Sequence, residues 1–316
     1  MKKRYILIVS IFFLSVFCFA QQTPQYGQYM FDHFAINPAY AGSKKAPTFI
    51  IHYRNQWLND VNGAPKTFLT SFHTPLRSNK IALGVQVVGD KIGPKKSTGM
   101  MLAYVYRIHF NKSALAAGIK LGAIQYVFEI TKIEYHQAEP IWGNALIYKS
   151  NVPVSDFGLY YNTNTWYAGL SINQILSGKI LEYSPLNSSS GNVLTQSQLK
   201  PHVYMTYGRA FRLSDNVTFS PSLMLKAAKN APGSLDINAN FLLDEKVWVG
   251  VGMRTGYGVG ALVQLLAIDK IKIGYAFEKN LKIANTYPGK MTNEILLQFD
   301  FNKTQLKMAS PKQAYF

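Results

Sequence analysis

The sequence predicts an all-β fold, a transmembrane antiparallel β-barrel of about 14 strands, and three observations carry that prediction. Apolar residues alternate with small or polar ones along many segments, the period of a strand whose two faces meet different surroundings. Most of these segments have the roughly 9–12 residues that a tilted strand needs to cross a bilayer. The connections between them alternate between short turns and longer loops, as in outer-membrane barrels.

The amino terminus has the pattern of a secretory signal peptide over residues 1–20. A basic start, Lys2-Lys3-Arg4, precedes an apolar run that ends near Ala20, and a polar sequence follows. The run is shorter than the ~20 apolar residues of a comfortable membrane-spanning helix. Cys18, the one cysteine of the chain, falls inside it. The mature protein is therefore expected to have neither disulfides nor thiolate metal ligands.

Alternation assigns the faces of individual strands. Val249 and Val251 are expected to face lipid, and Gly250 the lumen. Lys120 falls on the small-residue face of its own segment. The fourteen predicted strands are 48–57, 67–74, 80–90, 97–108, 112–126, 153–162, 164–173, 198–210, 215–227, 232–243, 246–255, 257–267, 270–279 and 291–302.

The predicted connections give the barrel an orientation. Short turns follow the even-numbered predicted strands, long loops lie at about 127–152, 174–197 and 280–290, and the loops after the first, third and ninth strands are intermediate. Short turns of such barrels face the periplasm. The prediction is a barrel over 48–302 and a tail over 303–316, in the outer membrane of a Gram-negative cell, with both termini periplasmic.

A soluble β-sandwich or soluble barrel is the alternative, because it also alternates. The membrane barrel is favoured because the second face is rich in Gly, Ala, Ser and Asn, which suits a narrow wet lumen. Aromatic residues also cluster near strand ends, where membrane proteins place interfacial girdles. These aromatics are Tyr53, Trp57, Tyr104, Tyr106, Tyr160, Tyr161, Trp166, Tyr167, Tyr204 and Tyr207.

Residues 21–47 are predicted to form an ordered periplasmic segment that enters the barrel as a plug or packs on its rim. Pro38 fixes its own φ and restrains Asn37 to extended geometry, while Gly42 permits a sharp turn. Aromatic and aliphatic residues supply apolar surface on a stretch too irregular for a bilayer strand. The alternative is a plain linker to the first strand.

Several blocks of sequence carry a resemblance to a known family. They include NPAYAG at 37–42, YRNQW at 53–57, GVQVVGDKIG at 84–93 and DFGLYYNTNTWYAGLSIN at 156–173. In these blocks, and over about 25–301, the chain resembles the PorP/SprF family of Bacteroidetes outer-membrane proteins associated with the type IX secretion system. NPAYAG followed by YRNQW is the specific part of the likeness.

The resemblance implies a role in protein secretion or cell-surface attachment. Some members accompany large secreted adhesins, including those of gliding motility, and another belongs to the secretion machinery itself. The partners so implied are a large secreted surface protein, other type IX components and a lipoprotein. A porin or hydrophobic-solute channel stays open as another class, with a sparsely charged lumen of Arg107, Lys120, Asp236, Arg254, Lys272, Glu278 and Asp300.

The candidate site residues come from the two family blocks: Asn37, Pro38, Ala39, Tyr40, Gly42, Arg54, Gln56 and Trp57. They either contact a partner or serve the barrel itself. In the second interpretation Trp57 lies at the membrane interface and Arg54 forms an ion pair in the lumen, as is routine in barrels.

The sequence predicts no enzyme and no cofactor or metal. The six histidines have no metal-ligand spacing, and Gly169-Leu170-Ser171-Ile172-Asn173 lacks the second glycine of a nucleophile elbow. The formal net charge of +17 comes without a nucleic-acid-binding motif. Basic loops of an outer-membrane protein can pair with lipopolysaccharide phosphates or with an acidic partner, and a solvated, unspecialised surface is the commoner alternative.

Overall fold

The computed structural model describes residues 25–57, 63–76, 79–129, 147–176, 178–183, 195–229, 231–268, 270–281 and 291–301. The predicted signal peptide, the tail after 302 and most of the three long loops lie outside the described residues. Within the described ranges, no helix is long and apolar enough to cross a membrane. The helical elements there are two short 3₁₀ turns, His33–Ala35 and Pro38–Tyr40.

The described strands, numbered in chain order, fall into a large sheet and a small hairpin. They are β1 (Thr48–Gln56), β2 (Lys66–Pro75), β3 (Ile81–Ile92), β4 (Lys95–His109), β5 (Ser113–Glu129), β6 (Ile147–Thr163), β7 (Trp166–Asn173), β8 (Lys179–Tyr183), β9 (Thr195–Gln198), β10 (His202–Arg209), β11 (Phe211–Arg212), β12 (Val217–Ala228), β13 (Ala231–Leu243), β14 (Val247–Arg254), β15 (Gly258–Ile268), β16 (Ile271–Asn280) and β17 (Met291–Asp300).

Fourteen strands close into an antiparallel barrel, which confirms the predicted fold class. Neighbours in sequence are neighbours in the sheet, β10 pairs with both β7 and β12, and the first strand pairs with the last. Thr48 of β1 lies opposite Asp300 of β17. The two-residue β11 adds to the edge of β12, and β8 and β9 form a separate two-stranded hairpin.

The barrel is apolar outside and polar inside. Val251 is 60% exposed and Leu121 54%, whereas Lys120 is 1% exposed. Gly250 is buried on the inner side of β14, as alternation predicts. An outward belt of aliphatic side chains has a favourable solvent only in a lipid bilayer.

Two expectations about strand boundaries are wrong. The predicted strand 198–210 is shorter in the structure, where β10 covers His202–Arg209, and its first residue belongs to β9. The predicted loop 174–197 contains β8 and most of β9. The buried Ile180 of β8 and Leu199, which follows β9, pack against the inner side of β4–β6. An element of four or five residues has too few positions to show a period, so alternation could not reveal these two strands.

The loop scheme also needs correction. The connections after β3 and β12 are two residues each, 93–94 and 229–230, where intermediate loops are predicted. The long connections are nonetheless all at one end of the barrel, called here the long-loop end. The other end is the short-turn end. β5 and β6 are 17 residues each and rise further toward the long-loop end than predicted.

The aromatic clusters divide between the two faces. At the short-turn end, Phe219 packs on Phe211 and Phe241 on the outer surface, and Trp166 packs on Tyr161. These residues form the interfacial girdle that membrane barrels place at headgroup level. Tyr160, Tyr167 and Tyr204, which the sequence assigns to the girdle, are instead buried inside the barrel at 0%, 0% and 6% exposure.

Candidate functional site: a lumen filled by the amino-terminal segment

Residues 25–47, called the plug below, run through the inside of the barrel. Gln25 Oε1 accepts a hydrogen bond of 3.2 Å from Arg254, the last residue of β14 at the long-loop end. Gly42 N donates to His73 Nδ1 at 3.4 Å, near the short-turn end of β2. The plug then leads directly into β1. It therefore spans the lumen from end to end.

The Asn37–Pro38 turn gives the plug its central bend. Asn37 is extended at φ −134° and caps the second 3₁₀ turn by accepting the Ala39 amide at 2.9 Å. Pro38 occupies the first position of that turn, where its missing N–H costs nothing. The Asn37 amide also donates to the Leu159 carbonyl of β6 at 3.0 Å. The side chain that shapes the turn thus also attaches it to the wall.

Glycines of the wall make room for the plug. A Cβ on Gly118 would lie 2.7 Å from the backbone N of Ala39, and a Cβ on Gly84 would lie 2.6 Å from the Phe34 ring. Gly158 faces the Asn37 side chain in the same way. At Gly118 the obstacle is plug backbone, which cannot yield at such a distance, while at Gly84 and Gly158 a plug side chain would have to move. The NPAYAG block and the glycine-studded strands are two halves of one interface.

Side chains of the wall bind the backbone of the plug. Lys120 Nζ donates to the Phe34 carbonyl at 2.9 Å, and Ser171 Oγ donates to the Ile36 carbonyl at 2.7 Å. The remaining donors are Asn173 to Ile36 O at 3.0 Å, Arg107 to Ala41 O at 3.1 Å and Arg254 to Tyr26 O at 3.1 Å. Charged and polar lumen residues thereby satisfy plug carbonyls that burial has removed from water.

Glu294 is the centre of a buried polar network on the opposite wall. It accepts the amides of Gly27 at 2.6 Å and Gln28 at 3.1 Å, and it pairs with Arg54 and with His52 Nε2 at 3.0 Å. All its side-chain surface is buried. One carboxylate therefore fixes both the first residues of the plug and an arginine of β1.

Further ion pairs line the lumen above and below this network. Arg254 pairs with Asp236 at 2.7 Å toward the long-loop end, and Lys272 pairs with Asp300 at 3.1 Å toward the short-turn end. Glu278 lies 2.7 Å from Arg54. The charged lumen residues that alternation predicts all lie on the inner face, but they are paired with each other or with the plug.

Aromatic residues fill the space between the plug and β6–β7. The His33 ring lies 4.7 Å from the Tyr167 ring centroid and 5.1 Å from that of Tyr40. Tyr160 stacks on Tyr167 at 5.7 Å. Tyr160 lies two residues after Gly158 in β6, so strand alternation alone predicts that both point inward. From the sequence, Tyr160 is assigned to the membrane interface because it is aromatic.

Little space remains in the lumen. The two described cavities beside the plug measure about 30 and 10 Å³. A single water needs at least roughly 10–15 Å³ of such space. Each of these two cavities therefore has room for isolated waters beside the plug.

The candidate residues of the two family blocks lie in different places. Asn37, Pro38, Ala39, Tyr40 and Gly42 are buried in the plug. Arg54 is 2% exposed and faces the Glu294 network, so its guanidinium is closed to a partner in this state. The structure does not join the two blocks into one surface.

Gln56 and Trp57 end β1 at the long-loop rim. Both are partly buried, and Trp57 has a left-handed backbone with φ 59°. That conformation is rare for a bulky residue and turns the chain sharply away from the strand. Gln56 N bonds back to the Pro65 carbonyl, which closes the loop toward β2.

Sequence reasoning missed Glu294, Ser171 and Asn173 as plug-binding residues. Each lies on the inward phase of its strand, which the sequence shows, but the carbonyl or amide that each one meets belongs to a segment more than a hundred residues away. The described residues include no cluster of three or more histidine, cysteine or acidic side chains arranged to hold a metal ion.

Two solved structures share this barrel fold. The toluene transporter TbuX of Ralstonia pickettii has a TM-score of 0.54 at 11% identity, covering 85% of this chain and 93% of its own. A FadL homologue of Pseudomonas aeruginosa has a TM-score of 0.52 at 10% identity, covering 89% and 95%. At such identities the likeness shows the fold alone. No curated protein sequence matches this one.

The closed barrel, its apolar outer belt and its aromatic girdle define an integral outer-membrane β-barrel protein. Residues 18–299 match the family of type IX secretion system membrane proteins PorP/SprF. The chain belongs to that family, which confirms the resemblance inferred from NPAYAG and YRNQW.

Proposed function

We propose that this protein serves type IX secretion by exporting or anchoring one large cell-surface cargo, such as an adhesin, at the outer membrane. The observation that supports this most is the filled lumen of a secretion-family barrel. A barrel whose interior is occupied by its own chain offers partners its two ends rather than a pore. Other type IX components, and a lipoprotein, are the partners expected at the periplasmic end.

The orientation proposed is short turns in the periplasm and long loops outside, the arrangement typical of outer-membrane barrels. At the long-loop end β5 and β6 form a tall wall, and the β8–β9 hairpin packs inside it through Ile180 and Leu199. This combination supports a broad, folded platform on the cell surface. A partner with its own folded surface suits such a platform better than a diffusing solute does.

The rim of this platform is basic among the described residues. Exposed lysines lie at the long-loop ends of several strands: Lys66, Lys91, Lys149, Lys229 and Lys279. Two acidic residues whose side chains the structure describes there are occupied, since Glu129 pairs with Lys96 and Asp90 bonds Thr67. Such a rim suits an acidic protein surface or the phosphates of lipopolysaccharide.

Two other functions follow from specific observations. A core subunit of the secretion machinery is consistent with the family, which does not itself distinguish machinery from cargo-specific members. A hydrophobic-solute channel is suggested by the toluene transporter that shares the fold. The channel is less well supported because the plug fills the lumen, and a channel would need that segment to move.

A deletion strain separates cargo service from a core role. We expect surface proteomics of the deletion strain to show the loss of one large secreted protein while other type IX substrates remain. Loss of many unrelated substrates together would show a core subunit and contradict the proposal. Solute uptake that falls while surface proteins stay unchanged would show a channel.

A loop exchange then tests the platform. Replacing 130–146, between the tall strands β5 and β6, by a neutral linker should remove the same cargo and leave an assembled barrel. Replacing 76–80, the connection between β2 and β3 at the short-turn end, is the control and should leave the cargo in place. Barrel assembly is checked in both by the heat-dependent shift in gel mobility.

A further inference from the structure

The plug begins at the long-loop end of the barrel, although β1 begins at the short-turn end. Both Gln25 and the Tyr26 carbonyl bond Arg254, beside the three-residue connection from β14 to β15. Tyr26 packs in a cluster with Tyr204 and Met224, which lie toward the long-loop ends of β10 and β12. Gln25, the first described residue, thus lies at the opposite end of the barrel from Thr48.

The wall beside Gln25 is a low part of the rim. β14 has 8 residues, while β5 and β6 across the lumen have 17 each. Gln25 is partly exposed there, whereas Tyr26 and Gln28 next to it are buried. The first residue of the plug is consequently accessible from the long-loop end, while the residues that follow it are buried in the lumen.

The flanks of this low wall are positively charged. Lys229 lies in the turn between β12 and β13 on one side, and Lys279 lies near the end of β16 on the other. Both are exposed. A protein surface that approached Gln25 over the low wall would meet these two lysines, so acidic side chains there would be attracted.

We propose that the leading end of the plug, at Gln25, faces the cell exterior and is a contact element for the cargo, which docks by an acidic surface over the β14–β15 wall between Lys229 and Lys279. This inference rests on the proposed function for the cargo and for the outward placement of the long loops. It departs from the expectation that the amino terminus of the mature chain lies in the periplasm.

Cysteine labelling tests the placement directly, because the sequence after Cys18 has no cysteine. Gln25→Cys, Lys229→Cys and Lys112→Cys are each treated with a membrane-impermeant maleimide on intact cells. We expect labelling at 25 and 229, and labelling at 112, in a short turn, after permeabilisation alone. Labelling at 229 with none at 25 before permeabilisation overturns the inference and leaves the orientation intact. Labelling at 112 with none at 229 contradicts the orientation itself.

Charge reversal tests the docking. Lys229→Glu combined with Lys279→Glu should reduce, at least several-fold, the surface amount of the protein that the deletion strain loses. Lys112→Glu combined with Lys270→Glu, at the short-turn end, is the matched control and should leave it unchanged. Wild-type retention of that protein with both rim lysines reversed contradicts the docking surface, whatever the labelling shows. If the deletion strain loses no surface protein, the proposed function fails, and the docking proposal fails with it; labelling at 25 then still decides the threading.

Discussion

Gly118 shows how residues of one strand are constrained by lipid on the outer face and by the plug on the inner face. On the outer side of β5 its neighbours Ile119 and Leu121 meet lipid, while Gly118 itself meets the backbone of Ala39. Alternation along the sequence predicts which residues point inward, because the faces of a strand differ by one residue. It does not predict why an inward residue must be glycine, since that depends on a plug segment distant in sequence.

Gly118→Ala should destabilise the folded barrel by about 1–3 kcal/mol, the usual cost of overpacking a filled interior. The added Cβ would lie 2.7 Å from the Ala39 amide nitrogen, so either the plug or the strand must shift. Urea unfolding in liposomes measures the change. Gly89→Ala is the control, because a Cβ there meets nothing within 4 Å. Equal effects of the two substitutions would show that the plug does not press on β5.

Val251→Arg tests the lipid face. Val251 is 60% exposed on the outside of β14, near the middle of that strand. An arginine near the midplane of a barrel costs ~2–4 kcal/mol, and one near the interface ~0–1. Met291→Arg, at the long-loop end of β17, should therefore reduce barrel stability much less. Equal unfolding free energies for both variants in liposomes would contradict the assigned membrane position.

The plug is the element that the sequence describes least completely. Pro38 and Gly42 indicate an ordered, bent segment, and the structure places that segment in the lumen with both 3₁₀ turns buried. The sequence could not decide whether residues 21–47 form a plug, a rim element or a linker, because the contacts that decide it are with residues distant in sequence. Strand phases were predictable because each depends only on neighbours two residues away. β6 exceeds its predicted length where Lys149, Ser150 and Asn151 break the alternation of apolar and polar residues.

Glu294→Ala should release the first residues of the plug. The substitution removes the acceptor of the Gly27 and Gln28 amides and leaves Arg54 with Glu278 as its remaining acidic partner. Breaking a buried pair costs about 3–5 kcal/mol, whereas an exposed pair contributes about 0–1. Hydrogen exchange at the two amides should accelerate together with the loss of stability. Asp215→Ala, which removes an exposed pair with Arg212, is the control and should change neither.

At the scale of the whole molecule, a fourteen-stranded barrel and its own amino-terminal segment form a single closed body. The fold and the family were predictable, the first from period and strand length, the second from two short motifs. The closure was not, because it is produced by hydrogen bonds from five wall side chains to plug carbonyls and by glycines that fit the plug. A filled lumen favours a function based on contacts at the ends of the barrel over transport through it.

Conductance across planar bilayers tests this closure most directly. The purified wild-type barrel, its folding verified by heat-dependent gel mobility, should insert without a stable open level. A variant lacking residues 25–44, verified in the same way, should give steady ohmic steps, since the lumen then holds only its wall side chains. Steady conductance of the wild type equal to that of the plug-deleted variant would contradict the closed lumen, and with it the argument for cargo service over a channel.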